Sequence, residues 1–185
     1  MSRALGETDD LRQVAGAKHA TLGAALKRFP ELRDYFTMGF VRNPWERYFS
    51  WHSMVLRRRD AALDGTYDAA HYARNDFWQR IARDFPDFES FVMEGTRRVR
   101  RLGVPQIDYL TTPDRRADFI GRTECLTDDL ARGLTLAGIP LPANLEQSNA
   151  GTGADYRTHY TPAMRDRVAE VSARDIEEFG YSFSS

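Results

Sequence analysis

The chain has 185 residues, enough for one domain with a real core and too few for two ordinary ones; 42% hydrophobic and 29% charged residues is the balance of a soluble globular protein. A formal net charge of −1 argues against a generic polyanion binder, so no nucleic-acid partner is expected, while a local basic pocket stays open. One cysteine, Cys125, excludes an internal disulfide and favours a reducing compartment.

Residues 1–17 are polar and small, and little structure is expected there. TLGAALKRF carries Leu22, Ala25, Leu26 and Phe29 at helical spacing until Pro30 stops it. Residues 35–41, YFTMGFV, read as a buried strand. Asn43 is a good N-cap and Pro44 suits the first helical position, which predicts a helix from there to about Arg58. Residues 60–75 read as a loop, followed by short helices around DFWQRIARDF and PDFESFVMEG. QIDYLT, residues 106–111, is strand-like, and ADFIGR, residues 117–122, is a second short apolar run ending on arginine. A helix capped by Thr127 follows, with Leu130, Leu134 and Ala137 on one face; Cys125 is expected to be small and buried. GIPLPANLEQSNAGTGADY is a long Gly/Pro/Asn-rich connection of the kind that often carries function. Thr161, Pro162 and the stripe Met164, Val168, Val171 and Phe179 define a last helix that Gly180 ends.

Short apolar runs separated by helices predict an α/β domain with a mainly parallel sheet flanked by helices. Ligands of such sheets bind beyond the carboxyl ends of the strands, where Arg42 and Arg122 would both stand. A helix starting directly after Arg42 adds amide donors and a positive dipole end. Arg42 brings a planar fork of donors and Ser50 a hydroxyl, while the aromatic positions Trp45, Phe49 and Trp51 would pack the helix onto the sheet. The runs Arg57–Arg59 and Arg97, Arg98, Arg100 and Arg101 suit either a solvated face or an anionic glycan. His19, His52, His71 and His159 are too widely spaced for a zinc cluster, and no metal is expected. There is no apolar run long enough to cross a bilayer and no signal-peptide core in MSRALGETDDLRQVAG, so a cytoplasmic location is expected.

FVRNPWERYFSWH resembles the 3′-phosphate-binding motif of the Golgi-type and bacterial carbohydrate sulfotransferases (sulfotransferase family 2), which use 3′-phosphoadenosine 5′-phosphosulfate (PAPS). AKHAT, QIDYL, DFIGRTECLTDDL and HYTPAMRDRVAEVSARDIEEFGYSF resemble further stretches of that family, in the same order, over about residues 16–183. The resemblance implies a P-loop-NTPase-like sulfotransferase fold in one domain over residues 1–185. It implies that Arg42 and Ser50 hold the donor's 3′-phosphate and that Arg122 stands near the nucleotide. Ser148 and Arg157 fall in the region that closes over the nucleotide, and His19 matches a histidine that serves some relatives as catalytic base. The implied reaction is transfer of a sulfuryl group from PAPS to an acceptor hydroxyl of a carbohydrate, leaving 3′-phosphoadenosine 5′-phosphate.

The family normally opens with a strand, a Lys- and Gly/Thr-rich loop that cradles the 5′-phosphosulfate, and a helix. Lys18 and Lys27 are the only lysines, and neither lies in such a loop. Two expectations follow: an N-terminally truncated sulfotransferase whose start lies upstream, or a non-catalytic binding module that keeps the 3′-phosphate pocket. In the second case exposed sheet edges would favour a homo-oligomer. A phosphotransferase of the same broad fold is disfavoured, because a Walker-type lysine loop and a Mg²⁺ carboxylate site are both missing.

Overall fold

The computed structural model describes residues 20–141 and 155–185. In chain order its elements are α1 (Leu22–Arg28), β1 (Met38–Val41), α2 (Pro44–Leu63), α3 (Ala69–Ala73), α4 (Asp76–Asp84), α5 (Phe88–Ser90), α6 (Thr96–Arg98), α7 (Ile107–Leu110), β2 (Phe119–Arg122), α8 (Leu126–Leu136), α9 (Pro162–Val171) and α10 (Ala173–Phe179). A π turn, Phe91–Gly95, joins α5 to α6. The chain divides into two compact units: unit 1 comprises Met1–Arg42 and Pro105–Thr152, and unit 2 comprises Asn43–Val104 and Gly153–Ser185.

Unit 1 is built on a parallel strand pair. Met38, Gly39, Phe40 and Val41 of β1 stand opposite Phe119, Ile120, Gly121 and Arg122 of β2. Parallel strands need a long crossover, and here residues 42–118 supply it. Missing side chains let the layers approach: a Cβ on Gly121 would lie 2.6 Å from the Phe40 ring and 2.9 Å from the Asp129 Cβ on α8. A Cβ on Gly39 would collide with the Leu110 side chain of α7. At the amino end of the pair, the Asp118 carboxylate accepts from the Thr37 amide and hydroxyl, both at 2.7 Å. Those hydrogen bonds hold its pKa below the usual carboxylate range.

Unit 2 is helical with an aromatic core. Along α2, Trp45, Tyr48, His52 and Val55 are buried at helical spacing. Ile81, Phe85, Phe91, Val92, Leu102, Met164 and Val168 complete the interior. Burying side chains of this size stabilises by about 1.5–3 kcal/mol each.

Several expectations need correction. The strand at residues 35–41 is shorter, because Tyr35 closes a 3-10 turn over Pro30–Asp34 and stays exposed with Phe36. QIDYLT is not a strand: Pro105 opens a turn, and Ile107–Leu110 is helical with Ile107 buried. The α2 helix continues through Asp60, Ala61 and Ala62 to Leu63, and the expected loop contains α3, capped by the Asp68 side chain. Cys125 rather than Thr127 sits at the N-cap of α8, and Cys125 is exposed. The last helix is two, α9 and α10, broken at the buried Ser172, and Gly180 ends α10 in the left-handed region at φ 64°. Helix α1, α2 from Asn43, strand β2 and the parallel pairing agree with the sequence reading.

Candidate functional site

In unit 1 the site is the carboxyl edge of the strand pair. Val41 lies in register with Arg122, so Arg42 follows one residue beyond that last pair, at the same end of the sheet. Each backbone is held from outside the sheet. The Arg42 amide donates to Gln106 Oε1 (3.0 Å), and Gln106 Nε2 donates to the Arg42 carbonyl (2.8 Å). One side-chain amide thus does for Arg42 what a neighbouring strand would do. The Arg122 amide donates to Asp129 Oδ2 (2.7 Å), and Gly121 permits the approach of α8 that this bond requires. Arg42 is half-buried and Arg122 exposed. Just beyond, Thr123 Oγ1 is buried with no hydrogen-bond partner among the described residues. Guanidinium groups and a hydroxyl are donors of the kind that an oxyanion accepts from.

In unit 2, Asn43 is almost wholly buried and works in two directions. Its Oδ1 accepts from the Trp45 and Glu46 amides (3.0 and 3.5 Å), capping α2, and Nδ2 donates to the Ser182 and Ser185 carbonyls (2.8 and 3.1 Å). Ser50 is half-buried on the same helix, two turns further on. Trp45 Nε1 donates to the Arg165 carbonyl (2.9 Å), and the Tyr160 hydroxyl donates to the Trp45 carbonyl (2.8 Å). Burial pushes the Tyr160 hydroxyl far above the usual phenol range. Phe49 stacks on His159 with ring centres 4.5 Å apart. The rings of the motif therefore fix α2 within unit 2, whereas the sequence reading expects them on the sheet.

Arg157 is engaged with the end of the chain. Its Nε donates to the Phe183 carbonyl (3.2 Å), Nη2 to the Ser184 and Ser185 carbonyls (3.1 and 3.3 Å), and Nη1 to Asp155 (3.2 Å). His19 and Ser148 lie outside the described residues. Of the remaining histidines, His52 is buried, with Nε2 3.1 Å from the Phe85 carbonyl, and burial lowers its pKa. Sequence reasoning missed Gln106, Asp129 and Thr123. Only the acid in the first turn after a strand-ending arginine offered a signal, and that pattern is common. Among the described residues, no group of His, Cys, Asp and Glu could hold a metal ion, and no helix is long and apolar enough to cross a membrane.

A parallel strand pair with helices around it defines an α/β protein. The chain belongs to the sulfotransferase family, whose profile matches residues 9–182. Its chemistry is therefore of the sulfotransfer class, and its fold is the α/β fold of that family. No curated protein and no solved structure matches the chain.

Proposed function

We propose that the protein transfers a sulfuryl group from PAPS to a hydroxyl of a carbohydrate acceptor, acting as one sulfotransferase domain. The observation that carries this reading is the register of the strand pair, which brings Arg42 and Arg122 to one edge, in a chain of the sulfotransferase family. In this reading Arg42 and Ser50 grip the 3′-phosphate and Arg122 faces the nucleotide. Ser148 and Arg157 close the region around the nucleotide, Arg157 by exchanging its bonds to the tail carbonyls. His19 takes the acceptor proton as the hydroxyl oxygen attacks sulfur in line. The bond from sulfur to the 5′-phosphate oxygen breaks, and cationic groups offset the charge that collects on that oxygen.

The test is calorimetry with 3′-phosphoadenosine 5′-phosphate. The wild type should bind, and Arg42→Ala should weaken binding by about 30-fold or more, the scale of a lost charge-assisted hydrogen bond to phosphate. Absence of binding by folded protein, or equal affinity in the variant, overturns the donor site. For His19, transfer from labelled PAPS should fall strongly in His19→Ala, and an unchanged rate removes it from the mechanism.

A second reading rests on the lysines. With Lys18 and Lys27 as its lysines, this chain would, acting alone, be a module that keeps the 3′-phosphate pocket and transfers nothing. Nucleotide binding without transfer to any hydroxyl acceptor would establish that reading. A homo-oligomer belongs to either reading, and light scattering on the purified chain decides it.

A further inference from the structure

The guanidinium of Arg58, on α2, lies close to two rings. Its central carbon is 4.6 Å from the centre of the Tyr67 ring and 4.9 Å from that of Trp78. Among the described residues its Nε is buried with no hydrogen-bond partner, and Arg58 forms no ion pair. Other arginines of unit 2 are satisfied differently. Arg59 pairs with Asp60 at 2.8 Å, Arg83 with Asp84 at 2.8 Å, and Arg167 with Glu170 at 2.7 Å. The nearest acids in sequence beyond Asp60 serve the backbone: Asp64 accepts from Thr66, and Asp68 from the His71 amide. Arg58 is thus a cation that the fold has partly desolvated and not neutralised, and such a charge gains most from an incoming anion.

We propose that Arg58 is the recognition point for an oxyanion borne by the acceptor sugar, a carboxylate or a sulfate ester. This rests on the sulfotransferase reading, because it assigns the site to that enzyme's acceptor. The two rings fix the plane of the guanidinium, which readies its fork of donors for two-point contact. The aromatic wall continues beyond them: His71 lies 5.8 Å from both Tyr67 and Trp78, and Tyr72 lies 6.4 Å from Trp78. Flat rings beside a cation match a sugar, whose C–H face packs on aromatics while its charged group turns to the arginine. Arg58 is eight residues beyond Ser50 on one helix, about 12 Å along its axis, so a single rigid element carries both the residue assigned to the donor and this one. A lysine would keep the charge and lose the stacked fork, so the substitution separates recognition from mere basicity.

The experiment is calorimetry of the whole chain against hexasaccharides of hyaluronan (carboxylate only), desialylated keratan sulfate (sulfate only) and chitin (neither), with 3′-phosphoadenosine 5′-phosphate titrated into the same preparations. At least one anionic hexasaccharide should bind and the chitin hexasaccharide should not; which anionic probe binds identifies the group. Arg58→Gln should weaken that binding at least tenfold and Arg58→Lys about fivefold, with nucleotide affinity unchanged. Arg57→Gln, at an exposed neighbouring arginine, should leave glycan affinity as it is. Unfolding midpoints confirm that each variant is folded, and loss of glycan binding on titrating salt into the wild type gives a second measure of the charge contact. Equal affinity in folded Arg58→Gln, equal binding of the neutral probe, or nucleotide binding with no glycan binding overturns the inference while the donor reading stands. Glycan binding with no nucleotide binding overturns the donor reading and leaves the anion site; binding of neither overturns both.

Discussion

The two units bury different things. Unit 2 is filled with large rings and aliphatics, among them Tyr48, Phe85, Phe91 and Leu102 at 2% exposure or less. Unit 1 rests on two strands of four residues, held by closely fitted glycines and by polar clasps on the strand-ending backbones. A core of rings resists loss of one contact by its bulk, whereas a short strand pair depends on each clasp. Substitutions in unit 2 should therefore register first as lost stability, and those at the edge of unit 1 first as lost nucleotide affinity.

The largest effect that would sharpen this contrast is Phe91→Ala, which should destabilise unit 2 by about 3–5 kcal/mol in urea unfolding. A loss below about 1 kcal/mol would mean that the ring core is not what holds the unit. Next comes Gly121→Ala. Its Cβ meets the Phe40 ring and the Asp129 Cβ, and the overpacking should cost about 1–3 kcal/mol and displace the Arg122 backbone. Nucleotide affinity should fall with it, and a variant as stable and as tight-binding as the wild type breaks the picture of a fitted edge. Gln106→Leu leaves the charge of Arg42 in place and removes only its clasp. Nucleotide affinity should drop about threefold to tenfold, the loss expected for one or two neutral hydrogen bonds. If affinity holds while stability falls, Gln106 serves the fold alone.

The smallest effect is one of pH. Burial lowers the pKa of His52 below its ordinary 6.5, so the folded chain favours the neutral ring. As pH falls through 6.5 the unfolded chain takes up a proton before the folded one, and stability declines until the folded pKa is passed. Melting temperature should fall between pH 7 and pH 5, and the part due to His52 should be missing in His52→Gln. An identical pH profile in that variant removes His52 as the cause.

What the sequence reveals divides along the same line. Local signals place the ends of elements well: Asn43 and Thr161 as caps, Pro162 as an opener and Gly180 as a stop all act where their chemistry predicts. The stripe Trp45, Tyr48, His52 and Val55 is readable because the helical period is long enough to repeat. QIDYLT is misread because six residues cannot separate a period of two from the start of a turn, and because the role of Gln106 depends on a residue 64 positions away. The division into two units is hidden for a related reason, since each is assembled from separated stretches of chain. At the candidate site, the nearness of Arg42 and Arg122 to the carboxyl ends of the two strands can be anticipated from two apolar runs that each end on arginine. The clasps that aim them cannot, because an amide and a carboxylate in short helices have many commoner uses.

Asn43 carries a consequence for how the molecule is made. One buried amide caps the helix that begins at Pro44 and holds the Ser182 carbonyl, 139 residues later. A ribosome delivers the first partner long before the second, so the aromatic half of the protein must wait, partly built, through the synthesis of most of the chain. Contacts of such long range slow folding, and the waiting intermediate exposes rings. The yield of active protein should therefore depend on what shields residues 43–104 during translation as much as on the stability of the finished fold.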